Sequence, residues 1–150
     1  MTDEPIRAAQ RWAGSTAGDY PLRSTATAEG KAPIATSVAP SYGGELDRWN
    51  PDDLFGAALS ACMMYTFLAI ARKARLDVRA FDDEVEVFLV TEDRRTRIER
   101  AVLSPTITIA AGQDPERARS LYRKAHRYCI ISNSTTAEVV LEPSVAVLPE

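Results

Sequence analysis

Histidine occurs once in this chain, as His126, and cysteine twice, as Cys62 and Cys129. One imidazole and two distant thiols give no metal-ligand spacing. Two cysteines are also too few for a disulfide scaffold. There is no GxGxxG, no P-loop and no GxSxG elbow, so nucleotide binding and serine-hydrolase chemistry lack support. Internal repeats and low-complexity stretches are absent. The net charge is −3 with no Lys/Arg cluster, so neither a nucleic acid nor a membrane is the expected partner. The opening Met-Thr-Asp-Glu-Pro is acidic with no apolar run behind it, unlike a signal peptide. The expected compartment is the cytoplasm, where thiols stay reduced. There, two cysteines are either inert core residues or a working redox pair.

What is present is enough for one domain. The 150 residues are 45% apolar and 26% charged, which supports a packed core within a single domain spanning 1–150. Leu54 to Ala71 carries no charge, long enough for a membrane span. It is rich in Ala, Gly and Ser and lacks an aromatic belt at both ends. It reads instead as a central helix buried all round. In so short a chain, burial on every side implies that a second copy covers part of it.

Local signals order the elements. Residues 6–14 and 20–28 read as a hairpin around Gly14, Ser15, Gly18 and Asp19. Gly30 marks another turn and Ile34 to Val38 a third strand, followed by a loop containing Gly43-Gly44. Asn50-Pro51-Asp52-Asp53 starts a helix: a cap, a proline at the first helical position, and two acids on the positive end of the dipole. That helix runs to about Arg75. Val78 to Thr91 and Ile98 to Ala110 alternate as strands around the polar turn 92–95. Ile107 and Ile109 share one face, and Thr106 and Thr108 the other. Pro105 predicts a bulge or an edge position. Gly112-Gln113-Asp114-Pro115 opens a second helix that ends near Cys129. Val139 to Leu148 is a last strand, broken at Pro143. The order βββ-α-ββ-α-β is α+β.

Few residues could carry chemistry. Cys62 lies about three turns into the first helix, with Ala58, Leu59, Tyr65 and Thr66 on its face. By itself it reads first as a small buried hydrophobe and only second as a nucleophile. The helix dipole fades within the first turn, so activation requires a cation from another segment. Cys129 sits where the second helix ends, a place from which a thiol can move without unravelling a helix; a packed thiol fits as well. Asp52 and Asp53 read as first-turn acids, and His126 as solvated surface. Met63, Met64 and Phe67 read as core or the apolar wall of a pocket.

The stretch Gly43-Gly44 followed by Asn50-Pro51-Asp52-Asp53-Leu54-Phe55-Gly56-Ala57-Ala58-Leu59-Ser60-Ala61-Cys62 resembles the signature of the OsmC/Ohr family (osmotically inducible protein C-like; organic hydroperoxide resistance). Cys129-Ile130-Ile131-Ser132-Asn133 stands where that family carries its second cysteine. The element order resembles the family from about residue 6 to 148. The resemblance implies an OsmC-like fold and an intertwined homodimer with the cysteine helices buried at its centre. It implies a thiol peroxidase in which Cys62 attacks a hydroperoxide and Cys129 resolves the sulfenic acid to a disulfide. A small thiol or a dihydrolipoyl group would be the reductant, with no cofactor. Arg23 falls closest to the family's arginine, which would hold the thiolate, and Asp52 stands where the family carries the glutamate that aims it. Asp52 is shorter than glutamate by one methylene, and Ile130 replaces the usual proline; both favour a divergent OsmC-like member.

Helix geometry adds a constraint. Asp52 and Cys62 are about 15 Å apart along the axis, so Asp52, with Arg23, is expected from the partner subunit. Leu59, Met63, Tyr65 and Phe67 are expected to line an apolar substrate pocket that favours organic hydroperoxides over hydrogen peroxide. Two other functions fit the same fold: a non-catalytic dimer that binds a small hydrophobic ligand, and a thiol redox sensor.

Overall fold

The computed structural model describes residues 5–18 and 20–150. The acidic start of the chain and the expected turn-former Asp19 lie outside the described residues. The contacts gather into two compact units, Met1–Leu54 and Phe55–Glu150.

In the first unit, three short antiparallel strands form one sheet in the order β1 (Ala9–Arg11), β2 (Arg23–Thr27), β3 (Ile34–Ser37). β1 is much shorter than the sequence pattern suggests. Gly14 and Gly18 both have positive φ, so the chain leaves the sheet early. After β3 a 3-10 turn, Pro40–Tyr42, ends on Gly43 in the left-handed region at φ 86°. Gly44 admits no side chain, since a Cβ there would stand 1.7 Å from the Val38 carbonyl oxygen.

Helix α1 runs Pro51–Lys73. Its start is capped as the sequence implies. Asn50 Oδ1 accepts from the Asp52 and Asp53 N–H groups at 2.9 and 3.0 Å, and Asp53 Oδ2 accepts from the Asn50 N–H at 3.2 Å. This reciprocal box satisfies donors that a helix N-terminus otherwise leaves bare. The helix ends two residues before Arg75, which adopts φ 56°. The Leu76 N–H returns to the Ala71 carbonyl and the Arg75 N–H to that of Arg72, closing the end in the manner of a Schellman motif.

In the second unit, β4 (Val78–Glu92) and β5 (Arg95–Ile109) form a long antiparallel hairpin. β5 is central. Its far side pairs in parallel first with β6 (Glu138–Leu141) and then with β7 (Ser144–Val147). The last strand is thus two strands, divided around Pro143 as the sequence suggests. Pro105 is neither at an edge nor at a bulge; the register shifts lie at Val78/Ala80 and Phe88/Leu89. The reason is positional. The Leu103 and Ile109 carbonyls accept from the Glu142 and Leu148 N–H groups, each at 2.9 Å. Alternate residues of β5 therefore aim their polar groups at β6 and β7. Pro105 shares that phase and falls where β6 gives way to β7, so its missing N–H breaks no ladder bond.

The core lies on one face of this sheet. Ala101, Leu103, Ile107 and Ile109 of β5 are fully buried there. One stripe of α1 (Gly56, Leu59, Met63, Phe67, Ala71) packs into the same core. α2 (Pro115–His126) adds Ala118, Tyr122 and Ala125, after a cap in which Asp114 accepts from the Glu116 N–H. Phe67, Phe81 and Tyr122 meet with centroids 5.7 to 6.1 Å apart. A four-residue helix not foreseen from the sequence, α3 (Ile130–Asn133), follows α2. Ala57, Ala58, Ala61, Tyr65 and Ala69 form an exposed face of α1, so the helix is not buried all round within the chain.

Candidate active site

Cys62 lies on α1 between the core stripe and the exposed face, and is half-buried. Cys129 is fully buried and caps α3, its sulfur accepting from the Ser132 N–H at 3.4 Å. Here α2 has already ended, and the chain turns through Arg127 and Tyr128 before re-entering a helix. That turn places Cys129 in the buried cluster against which Cys62 and Ile131 pack.

The two thiols are driven apart electrostatically. Burial pushes the Cys62 thiol up, but the polar groups facing it outweigh that cost. The Ile131 N–H acts most strongly, followed by the Cys129 thiol, the Ile130 N–H and the Thr66 hydroxyl, and together they bring Cys62 below the ordinary thiol value. A thiolate accepting several donors is favoured over the thiol. Cys129 is pushed up to about 11, first by burial and then by the neighbouring Cys62 sulfur and its charge, against the lowering effect of the Ser132 N–H. One sulfur is set up as the anion and the other as its proton-bearing neighbour.

Within the chain, the groups that lower Cys62 are backbone N–H groups of α3 and the side chains of Thr66 and Cys129; the arginine expected from a second copy lies outside the single chain described. Thr66 was visible as an i+4 neighbour of Cys62. The N–H groups of Ile130 and Ile131 had no signal in side-chain identity.

Arg23 and Asp52, expected to pair, are not brought together within the chain. Arg23 Nη2 lies 2.8 Å from Glu45 Oε1, and Arg48 Nε lies 2.7 Å from Glu45 Oε2. The backbone explains the substitution. Arg23 stands opposite Ser37 in the β2–β3 register, and Ser37 Oγ accepts from the Glu45 N–H at 3.2 Å. Glu45, delivered by the tight Gly43-Gly44 turn, therefore meets the guanidinium. Asp52 serves in the first turn of α1, its N–H held by Asn50.

The expected pocket wall also needs correction. Leu59, Met63 and Phe67 are fully buried in the core, because they form the stripe of α1 that faces the sheet. Tyr65 alone of the four is exposed, at 68%. It borders a groove of about 790 Å³ together with Thr66, Ala69, Ile70, Leu121 and Tyr128, with Lys73 and Lys124 also on its lining. Thr66, on the lining of this groove, lies one turn after Cys62 on α1. Among the described residues, no group of three or more His, Cys, Asp or Glu side chains could hold a metal ion.

An α+β chain with two free cysteines in one packed cluster, one on a long apolar helix and the other at a helix cap, defines a recognisable class of two-cysteine proteins. Residues 43–144 match the family described as OsmC-like protein, and the chain belongs to that family. An OsmC-like protein of unknown function from Vibrio cholerae is 26% identical, with a TM-score of 0.86 over 94% of this chain and 99% of that one. An organic hydroperoxide resistance protein from Elizabethkingia anophelis is 23% identical, with a TM-score of 0.73 over 98% of this chain and 99% of that one. The organic hydroperoxide resistance protein OhrB of Bacillus subtilis is 19% identical, with a TM-score of 0.65 over 95% and 98%. The last two likenesses are of fold. No curated protein matches the sequence.

Proposed function

We propose that this protein is a cysteine-based peroxidase that reduces organic hydroperoxides. The observation that carries the reading is the opposite poise of two thiols in one packed cluster: Cys62 lowered, Cys129 raised. The Cys62 thiolate attacks the terminal peroxide oxygen, the O–O bond breaks, and the alkoxide leaves with a proton as an alcohol. Cys62 becomes a sulfenic acid. Cys129 then condenses with it, releasing water and forming a disulfide. A small thiol or dihydrolipoyl group reopens the disulfide by exchange. The apolar groove beside Thr66 favours an organic hydroperoxide over hydrogen peroxide.

The reading includes a cytoplasmic homodimer. Its support is the exposed small-residue face of α1, a surface of the kind that a second copy covers. It assigns Arg23 to the reaction on resemblance, with Glu45 as the carboxylate that holds its guanidinium.

The test is hydroperoxide consumption with dihydrolipoamide as reductant. The parent chain turns over, Cys62→Ser is inactive, and Cys129→Ser completes one turnover without forming the intramolecular disulfide. Equal activity in the parent and Cys62→Ser would reject the proposal. The groove also suits a small hydrophobic ligand. A binding protein of that kind would keep both free thiols after one equivalent of hydroperoxide, whereas the peroxidase loses them.

A further inference from the structure

Gln10, Ser24 and Thr36 lie on one face of the first unit's sheet. Ser24 and Thr36 are cross-strand partners, and Gln10 stands opposite Ala26, two residues on from Ser24. Side chains at that spacing share a face. There they meet. Gln10 Nε2 donates to Ser24 Oγ and to Thr36 Oγ1, each at 2.6 Å, and the two hydroxyl oxygens stand 2.8 Å apart. The amide thus spends both of its protons, and one hydroxyl gives its own to the other. The remaining hydroxyl keeps a proton that has no acceptor among the described residues. Thr36 is only 5% exposed, and an idle donor at that depth is costly.

All three residues line a cavity of about 720 Å³, a size usual for small-molecule sites. Its lining belongs wholly to the first unit. Pro21, Leu22, Val38 and Leu54 give it apolar walls. Trp12 and Tyr20 meet edge to face on it, with centroids 6.3 Å apart and planes at 82°. The indole is held in place. Its Nε1–H donates to the Pro21 carbonyl at 2.8 Å. A Cβ on Gly14 would stand 3.0 Å from the Trp12 ring and 3.1 Å from Pro21, so glycine lets the ring settle against the chain. Trp12 and Tyr20 are nonetheless half-exposed. A fixed aromatic pair beside an unspent donor is a surface arranged to be covered. Among the described residues, no charged side chain lines the cavity.

We infer that this cavity binds a neutral aromatic molecule that carries a carbonyl or hydroxyl oxygen. The oxygen accepts the spare proton of the Ser24–Thr36 pair. The ring lies against Trp12 and Tyr20, where aromatic contact adds to the apolar area buried. Neutrality follows from the lining. A carboxylate or an ammonium would leave water for walls that offer no countercharge. An aliphatic chain would cover the same walls but leave the donor bare. The site uses neither cysteine and is independent of the peroxidase reading.

The test is titration calorimetry of the full chain with 2-naphthol, with indole N–H resonances recorded alongside. 2-Naphthol is expected to bind with a dissociation constant on the order of 100 μM or tighter. It is expected to shift the Trp12 indole resonance, which is assigned by its loss in Trp12→Leu. The anion 2-naphthoate is expected to bind about tenfold or more weakly. Thr36→Val and Ser24→Ala remove the two hydroxyls in turn, and at least one of them is expected to weaken 2-naphthol binding about tenfold. Trp12→Leu is expected to weaken it as much, and decides the matter if Thr36→Val does not fold. No saturation by about 1 mM 2-naphthol would overturn the inference, and is the result expected if a second copy of the chain fills the cavity. Equal binding of 2-naphthol and 2-naphthoate would overturn it too, as would parent-like binding in Trp12→Leu or in both hydroxyl variants.

Discussion

Cys129 and Cys62 bear on one another electrostatically: the Cys129 thiol helps to lower Cys62, and Cys62 helps to raise Cys129. Removing Cys129 should therefore weaken the nucleophile. Cys129→Ala is expected to move the Cys62 thiol back up and to slow its alkylation by iodoacetamide at pH 7 about tenfold, the usual scale for one hydrogen bond to a charged group. Thr66→Val should act in the same direction. Alkylation rates measured against pH check both; an unchanged profile in Cys129→Ala would contradict the coupling of the two thiols.

The same pair makes stability depend on pH in two opposite windows. Cys129 has a folded value of about 11 against an ordinary 9.0. Its stabilising contribution is complete below about pH 9 and is lost as pH rises through about 11. Cys62 is lowered, so its contribution is present above the ordinary thiol value and lost as pH falls through its folded value. Urea denaturation between pH 8 and 11 under reducing conditions should show a Cys129-dependent loss on the order of 1–2 kcal/mol. In Cys129→Ala that slope should flatten.

The groove beside Thr66 predicts a size-selective variant. Ala69 lies on its wall between Tyr65 and Ile70. Ala69→Trp should fill much of the space and raise KM for a bulky organic hydroperoxide about tenfold or more, a change of about 1.4 kcal/mol, with little effect on hydrogen peroxide. Parallel kinetics with the two oxidants check this.

The exposed face of α1 predicts an assembly variant. Ala61 sits amid Ala57, Ala58 and Tyr65 on that face. If a second copy covers it, Ala61→Arg forces a long charged side chain into a close contact and should yield a monomer. Sedimentation velocity distinguishes the outcomes, and a parent chain that sediments as a monomer would remove the dimer from the proposal.

Arg75 offers a gain in stability. A non-glycine residue at φ 56° closes α1. Glycine adopts that region without penalty, so Arg75→Gly should stabilise the fold by up to about 1 kcal/mol. Thermal denaturation checks it.

The elements that local chemistry dictates were legible from the sequence. Asn50-Pro51 and Asp114-Pro115 announce helices because a cap and a proline act within one turn. Pro143 announces a break because it removes a donor. Where the outcome depends on tertiary placement, the sequence was silent. A helix apolar on every side does not say which stripe meets the sheet, so Met63 and Phe67 read equally as core and as pocket wall, and Leu59 as pocket wall. α3 is too short to have a period. Its N–H groups at Ile130 and Ile131, which bear on Cys62, are carried by every non-proline residue. The partner of Arg23 is fixed by strand register and the Gly43-Gly44 turn, and nothing in Asp52 or Glu45 distinguishes them beforehand.

Pro105 has a consequence beyond its own strand. A ribbon with donors at every rung can slide by two residues and lose only its end bonds. One rung of β5 has no donor, and it coincides with the one gap that β6 and β7 leave. Sliding either way would bring that blank rung against a strand that needs it, so the C-terminal strands fit in a single setting, like a notched key. α3 hangs between α2 and β6, and the setting of that key therefore reaches as far as the resting height of the Cys129 sulfur.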